Sequence, residues 1–374
     1  MTVTPIKLTI DHTKVNAPLS DFPVMVHLGK SSALNSADTS FVFTELGSDA
    51  NRKKIAITTA SGTELNVEIE KWDTANKEAW LWVKVPSISN SQDTVLYLTY
   101  DKNRADNTNM VGDTGSTPAK NVWNSGYVAV YHMNDIGSIV KDSTQNAHNG
   151  MKKGGTPDPV SGKLGPSALF TGTNYIEVPD HNQFSLVNTR HLIVSTWFSP
   201  SALVMSTTDT DDYQIRLLSK TGSNANEWTL DYHNDGSPRD QGIAWYLCSL
   251  AGGLCTGHYM YPYGDSRNNI AVNEWEQLTG RGDEDSAVIN GVSRTHWVST
   301  YKNGDYRNGQ TMDATAAIVS GNGNAPFVMG HDLSWPNSWL KGKLDEVRIE
   351  STPRSDAWIK ASYSSESDTL LSIS

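Results

Sequence analysis

The chain has 374 residues, enough for more than one domain, and 19% of them are charged. Aromatic residues make up 9%, with 12 tryptophans, which excludes a disordered chain because such a content supports a sizeable core. The net charge is -11 at pH 7 and no basic stripe offsets it, which excludes a nucleic-acid partner and favours a neutral ligand or a cation.

Short strands with alternating apolar residues dominate the first hundred residues, and helical periodicity is nearly absent. Each run is bounded by turn residues. The runs cover residues 6–10, 23–28, 54–58, 65–70, 79–85 and 94–100. This pattern predicts an antiparallel β-sandwich domain over residues 1–105.

Three runs in this region, FPVMV at 22–26, VEIEKW at 67–72 and WLWVKVP at 80–86, occur in order before the strand at 97–100. They resemble a family of uncharacterised bacterial and archaeal surface-protein domains that commonly precede laminin-G-like jelly rolls. The resemblance implies a fold and a domain order, and it implies no activity. The polar stretch 106–124, which carries glycine and proline, is predicted to be a linker.

Strand signals resume near residue 128, and the turn Asn303-Gly304 after a strand predicts a hairpin. Segments at 128–135, 142–150, 165–172, 273–278, 301–304 and 339–350 occur in the order of the laminin-G-like, concanavalin A-like jelly-roll family, which they resemble. The resemblance implies an all-β chain of two β-sandwich domains, with a jelly roll over 125–374. It also implies that the first and last strands of the jelly roll pair, and that the scaffold suits carbohydrate recognition.

Two parts of this region depart from or extend the family pattern. Residues 233–270 are long and rich in Tyr, Gly and Pro, which predicts a loop over one face or edge. Residues 354–363 carry spaced apolar residues among charged ones, which predicts a short helix docked on the sandwich.

A calcium site is implied by the same resemblance, because a structural ion often lies where the first segment of such a jelly roll meets its last strand. The resemblance points to Asp135, Asp142 and Asp345 as ligands, and calcium takes oxygen ligands of this kind. The alternative is that Asp142 caps a turn and Asp345 accepts backbone hydrogen bonds.

Aromatic residues in two predicted loops are candidates for sugar binding, because sugars stack their C–H faces on Trp and Tyr while polar side chains bind the hydroxyls. The alternative is that these rings plug the sandwich edges or lie between the domains. Four other tryptophans, Trp197, Trp228, Trp275 and Trp297, lie in strand runs and are expected to pack. The candidate sugar-binding residues are His331, Asp332, Trp335, Trp339, Tyr259, Tyr261, Tyr263 and Arg267.

Two sets of residues offer an enzymatic alternative. Glu68 and Glu70 lie two apart in a strand and so share a face, at a spacing compatible with glycoside hydrolysis, although a solvated polar face is the simpler expectation. A lyase-like set, which needs a base and a charge neutraliser, is available from His233, His258, Tyr259, Tyr261 and Arg239.

Cys248 and Cys255 flank a flexible segment, and we expect them to form a disulfide because the composition is typical of secreted proteins; two free thiols are the alternative. The tripeptide Arg281-Gly282-Asp283, in a predicted turn, spells an integrin-type motif that we attribute to chance.

The first residues carry no signal-peptide features, and no run of about 18 apolar residues predicts a membrane span. We therefore expect a piece of a larger extracellular or cell-surface protein with further domains. The favoured function is a carbohydrate-binding or adhesion module without catalysis, whose partner is a glycan or polysaccharide and whose structural cofactor is calcium. The alternatives are a polysaccharide-degrading hydrolase or lyase, and a structural spacer of a surface protein.

Overall fold

A computed structural model describes residues 4–135, 137–155, 159–202, 214–222, 226–233, 242–247, 258–260, 270–311, 323–335 and 337–374, with backbone alone at 214, 233 and 258–260. The chain forms two compact units. The first comprises Met1–Ser125, Ser143–Gln145 and Ala357–Ser374, and the second comprises Gly126–Asp142 and Asn146–Asp356. Within the described residues, no helix is both long and apolar enough to cross a membrane.

The first unit is built from short, mostly antiparallel strands in which buried apolar residues alternate with more exposed ones. In its first strand, for example, Ile6, Leu8 and Ile10 are buried. Its elements up to residue 120 are β1 (Ile6–Ile10), β2 (Leu19–Leu28), α1 (Phe41–Leu46), β3 (Ile55–Thr59), β4 (Val67–Asp73), β5 (Glu78–Ile88), β6 (Thr94–Tyr100), β7 (Val111–Asp113) and α2 (Thr117–Lys120). One sheet has the order β2-β5-β4-β7, and β1, β6 and β3 lie side by side in another. The predicted all-β domain is confirmed.

The segment expected to be a linker belongs to the first unit. Val111 of β7 pairs in parallel with Val67 of β4, and α2 follows directly. Local composition did not reveal this, because the partner strand of β7 lies some forty residues earlier in the chain.

The second unit consists of two large sheets packed face to face. Their orders are β18-β17-β16-β15-β24-β13-β10-β9 and β11-β12-β25-β14-β19-β22-β23, with β8 paired to β25. The elements of this unit are β8 (Tyr127–Tyr131), β9 (Ile139–Val140), β10 (Gly150–Lys153), β11 (Pro159–Ser161), β12 (Pro166–Thr171), β13 (Tyr175–Val178), α3 (Leu186–Thr189), β14 (His191–Pro200), β15 (Gln214–Lys220), β16 (Trp228–His233), β17 (Gly242–Leu247), β18 (His258–Met260), β19 (Glu276–Asp283), β20 (Ala287–Ile289), β21 (Val292–Arg294), β22 (Trp297–Lys302), β23 (Asp305–Thr311), β24 (Phe327–Met329) and β25 (Lys341–Glu350).

The core of the second unit lies between these sheets, where Trp228, Trp245 and Phe327 are fully buried. Strand β8 pairs antiparallel with β25, with Tyr131 opposite Val347. The predicted pairing of the first and last strands of the jelly roll is therefore confirmed, as is the β-sandwich fold.

The tail of the chain returns to the first unit. The helix α4 (Asp356–Glu366) was expected, but from Ala357 onward it belongs to the first unit rather than to the predicted jelly-roll range of 125–374. Its Trp358 ring meets Phe22 edge-on at 4.8 Å. The last strand, β26 (Leu371–Ile373), pairs with β1, so that Ile373 lies opposite Leu8. The second unit is thus an insertion within the first.

Candidate functional site

The segment of residues 331–339, here called loop 331–339, joins β24 to β25 in the second unit. It begins after Gly330, whose φ of 86° lies in the left-handed region. A Cβ at this position would lie 2.3 Å from the Phe170 ring, so the close approach also requires glycine. The chain can therefore turn sharply out of the sheet at this point.

The aromatic rings of the loop divide into a packed pair and one exposed ring. His331 and Trp339 stack with centroids 3.7 Å apart and planes 8° apart, and Tyr175 of β13 lies 5.6 Å from His331. Burial lowers the pKa of His331, which favours its neutral form. Trp335, in contrast, is 48% exposed.

Asp332 anchors the loop to the sheet rather than facing solvent, since it is only 1% exposed. Its carboxylate accepts hydrogen bonds from the Thr221 hydroxyl and, at 2.8 Å, from the backbone N–H of Ser334. The Ser334 hydroxyl in turn donates to Asn226 at 2.7 Å. Asp332 was predicted to contact the ligand, but its side chain lies beneath the exposed surface of the loop.

The other end of this anchor is Arg216 of β15, which sequence reasoning missed. Its Nε lies 3.3 Å from Asp332 Oδ2, and its Nη1 donates to the buried Asp231 of β16. The ring of Tyr246 lies 5.5 Å from the guanidinium. Arg216 and Asp231 are cross-strand partners, and two opposite charges inside apolar strand runs were the available signal.

A second buried ion pair lies where β15 ends. The Lys220 ammonium is fully buried and donates to Asp180 at 2.6 Å, to Glu227 at 2.7 Å and to the carbonyl of Ala325 at 2.9 Å. Burial raises the pKa of Glu227 to about 7, against the opposing effect of Lys220. Because Thr221 follows Lys220, this pair stabilises the strand end that holds Asp332.

The remaining predicted ligand residues lie in the insertion. Tyr259 is on β18, where only the backbone is described. Tyr261, Tyr263 and Arg267 lie outside the described residues, as do Arg239 of the lyase-like set and the predicted disulfide pair Cys248 and Cys255. Their roles stay predictions.

The predicted calcium ligands Asp135 and Asp142 both accept backbone hydrogen bonds. Asp142 receives the N–H groups of Val130 at 3.0 Å and His148 at 2.8 Å, one on each carboxylate oxygen. Asp135 receives the N–H of Lys141 at 2.7 Å, and burial raises the pKa of its carboxyl. This is the turn-capping role that was the alternative for Asp142.

The third predicted ligand, Asp345, is fully buried on β25. Its Oδ2 accepts the N–H groups of Lys163 and Leu164, each at 2.9 Å, and burial raises its pKa well above the usual value. Among the described residues, the carboxylates of Asp135, Asp142 and Asp345 do not form a cluster whose oxygens all lie within 4.8 Å of one another. The three therefore do not fit a single shared ion, and calcium binding stays a prediction.

The acidic pair of the first unit is buried, which corrects the expectation of a solvated face. Glu68 accepts hydrogen bonds from the Trp123 indole at 2.6 Å and the Ser143 hydroxyl at 2.9 Å. Glu70 accepts from the Trp82 indole at 2.8 Å. Both carboxylates therefore have hydrogen-bonding roles in the interior.

The Arg-Gly-Asp tripeptide lies in β19 and not in a turn, which corrects that expectation. Arg281 and Asp283 are fully buried and bind each other at 2.6 Å. Neither side chain is accessible to a partner protein, in agreement with chance occurrence.

Comparison with known families decides the relationship of the chain. Residues 170–360, about half of the sequence, match the concanavalin A-like lectin/glucanases superfamily. The chain belongs to this superfamily. Residues 51–139 also match a domain of unknown function (DUF2341). This match agrees with the resemblance of the first domain to an uncharacterised family. Comparison with curated proteins gave no match.

Three solved structures are similar to part of this chain. Domain 4 of AbnA, a GH43 extracellular arabinanase from Geobacillus stearothermophilus in complex with arabinotriose, is 22% identical with a TM-score of 0.44, over 63% of this chain and 96% of that one. The binding domain of Paraclostridial Mosquitocidal Protein 1 is 15% identical with a TM-score of 0.45, over 64% and 52%.

The receptor binding domain of botulinum neurotoxin mosaic serotype C/D is 14% identical with a TM-score of 0.45, over 64% of this chain and 50% of that one. This chain thus spans about half the length of the two toxin domains. Identities and scores at this level carry no ligand or activity over to the chain.

Proposed function

We propose that the second unit is a carbohydrate-binding module of a larger extracellular or cell-surface protein, and that loop 331–339 carries recognition. The observation that supports this most is Trp335. It is the one tryptophan among the exposed large apolar side chains of the described residues. Tryptophan combines a large apolar face with an N–H donor, and for this reason it is enriched at binding interfaces.

The chemistry of the loop suits a sugar. An exposed indole offers an apolar face to the C–H groups of a sugar ring, while the hydroxyls need short polar side chains nearby. Ser334, Asn337 and Ser338 lie next to Trp335, and Trp339 is half-exposed. The hydroxyls of Ser334 and Ser338 donate to Asn226 and to the Trp335 carbonyl, which leaves their acceptor lone pairs for sugar hydroxyls.

The loop is also held in place before any ligand arrives. Asp332 is bound by Thr221 and Arg216, and His331 stacks on Trp339. A preformed loop loses less conformational entropy on binding than a mobile one, which raises affinity. This arrangement fits a binding surface better than a spacer.

A polysaccharide-degrading enzyme is the alternative, and it requires two accessible carboxylates, or a base with a charge neutraliser, in a groove. Glu68 and Glu70 are buried and hydrogen-bonded to tryptophans, so this pair does not support hydrolysis. The His and Tyr set of the insertion stays a prediction.

A glycan-array screen of the full chain, run with calcium and with chelator and assayed for released sugar ends, tests the proposal. Retention without cleavage supports a binding module, and its loss in chelator would support the calcium cofactor that the family resemblance implies, at a site other than one shared by Asp135, Asp142 and Asp345. New reducing ends or unsaturated products would contradict the proposal and favour the enzymatic alternative. Neither retention nor released sugar ends would favour the structural spacer.

A further inference from the structure

We propose that loop 331–339 selects uncharged glycans and discriminates against carboxylated and sulfated ones. This inference rests on the proposed function and names the ligand class of the same site. It follows from which charged groups surround the loop and from what those groups already bind.

The surface that the loop presents is uncharged. Its two ionisable side chains, His331 and Asp332, are buried. The described residues that reach solvent are Leu333, Ser334, Trp335, Asn337, Ser338 and Trp339, none of which carries a formal charge. An anionic sugar would therefore find hydroxyl and amide groups there, but no cation.

The two buried cations of β15, the strand that holds the loop, are already engaged. The Arg216 guanidinium lies between the carboxylates of Asp231 and Asp332. The Lys220 ammonium is enclosed by Asp180, Glu227 and two backbone carbonyl oxygens. A carboxylate or sulfate on the ligand would have to compete with groups that are already close and largely shielded from water.

These carboxylates also outnumber the cations that they bind. Asp231 and Asp332 share one guanidinium, so the charged group next to the loop carries one excess negative charge. Charges in a low-dielectric interior are screened less by salt than surface charges, so this excess acts on a ligand bound above it.

The side chains of two described lysines on neighbouring strands lie against residues outside the loop. Lys153, which lies opposite Tyr175, is paired with Glu177 at 3.7 Å. The stem of Lys341 lies on Gly172, at the pairing of β12 with β25. The chain as a whole, with a net charge of -11, adds repulsion of the same sign.

A matched set of probes tests the inference on the full chain. Glucan, mannan and galactan oligosaccharides are each used in three forms: unmodified, with primary hydroxyls oxidised to carboxylates, and with those carboxylates methyl-esterified. We expect the unmodified and esterified forms of the bound glycan to have similar Kd values. The carboxylated form is expected to bind about tenfold more weakly at low salt, with part of the difference remaining at high salt because buried charges are screened less than surface charges.

A charge added to the loop surface gives a second readout. Leu333→Lys is expected to recover most of the lost affinity for the carboxylated form, whereas Leu333→Gln is expected to recover none. Equal or tighter binding of the carboxylated form, or no recovery in Leu333→Lys, would overturn the selectivity while leaving a carbohydrate-binding function intact. Failure of all three forms of every probe to bind would overturn the proposed function together with this inference.

Discussion

Arg216 on β15 and Asp332 in loop 331–339 form a buried ion pair, with Nε and Oδ2 3.3 Å apart, that fastens the loop to the sheet. Asp231 binds the same guanidinium from the neighbouring strand. One arginine therefore joins two strands and the loop that bears Trp335. The shape of the proposed binding surface depends on this pair as much as on the residues that would touch a ligand.

Removal of the loop carboxylate tests this dependence. Asp332→Ala leaves Thr221 and the Ser334 N–H without their acceptor and removes one partner of a buried arginine. We expect a loss of about 3–5 kcal/mol in the free energy of unfolding, measured by urea denaturation. Glu274→Ala, which removes an exposed carboxylate of the second unit, is the control and is expected to change it by less than about 0.5 kcal/mol. A similar loss in both variants would refute the anchoring role.

Stability should depend on pH through Glu227. Its pKa in the folded protein is about 7, above its ordinary value of 4.5. Between these values the folded state binds more protons than the unfolded state, so the free energy of unfolding should fall as pH rises from 4.5 to 7 and then level off. Glu227→Gln is expected to remove this part of the slope, as measured by urea denaturation across that range. Glu177→Gln on β13 is the control; its side chain is half-exposed, and the variant should retain the wild-type slope. An unchanged slope in Glu227→Gln would contradict the assignment of the pH dependence to Glu227.

The insertion of the second unit within the first predicts which fragments fold. Residues 1–125 lack β26 and α4, so β1 loses a partner strand and Phe22 loses the Trp358 ring. We expect this fragment to show no cooperative unfolding by circular dichroism. The same fragment joined to 357–374 by a short glycine-serine linker should fold, because the inserted unit begins and ends close together: Ser351 donates to the carbonyl of Gly126 at 2.9 Å. A stable 1–125 fragment would contradict the division into units.

Glu68 should matter for the stability of the first unit and not for cleavage of a polysaccharide. It accepts hydrogen bonds from the Trp123 indole and from the hydroxyls of Ser143 and Thr114. Glu68→Ala should lower the free energy of unfolding by about 2–4 kcal/mol and alter the tryptophan fluorescence of the folded chain. Glu78→Ala, at the half-exposed start of β5, is the matched control. Release of sugar ends by the wild type that disappears in Glu68→Ala, without a loss of stability, would restore the hydrolase alternative.

The sequence predicted what depends on local alternation. The strands and both sandwiches follow from a period of two, and the pairing of β8 with β25 was implied by the resemblance. Relationships between distant segments were not predictable in this way. The return of β26 to β1, and the parallel pairing of β7 with β4, join segments whose local sequences carry no mark of their partner.

The candidate site was predicted in part for the same reason. Exposure of Trp335 in a loop was a reasonable expectation from its neighbours, since loops lie on the surface. The burial of Asp332 and its pairing with Arg216 required knowledge of which strands flank the loop. Glu68 was misjudged because alternation reports which face a residue lies on, and not whether that face is covered.

The most direct test of the central claim is the affinity of the full chain for the glycan best retained on the array, measured by titration calorimetry for wild type and Trp335→Ala. We expect Trp335→Ala to weaken binding at least about tenfold with an unchanged free energy of unfolding, because a stacked aromatic ring contributes binding and little folding energy at an exposed position. Phe41→Ala, which truncates an aromatic ring of similar exposure in the first unit, should bind as the wild type does. Wild-type affinity in Trp335→Ala would contradict recognition by loop 331–339.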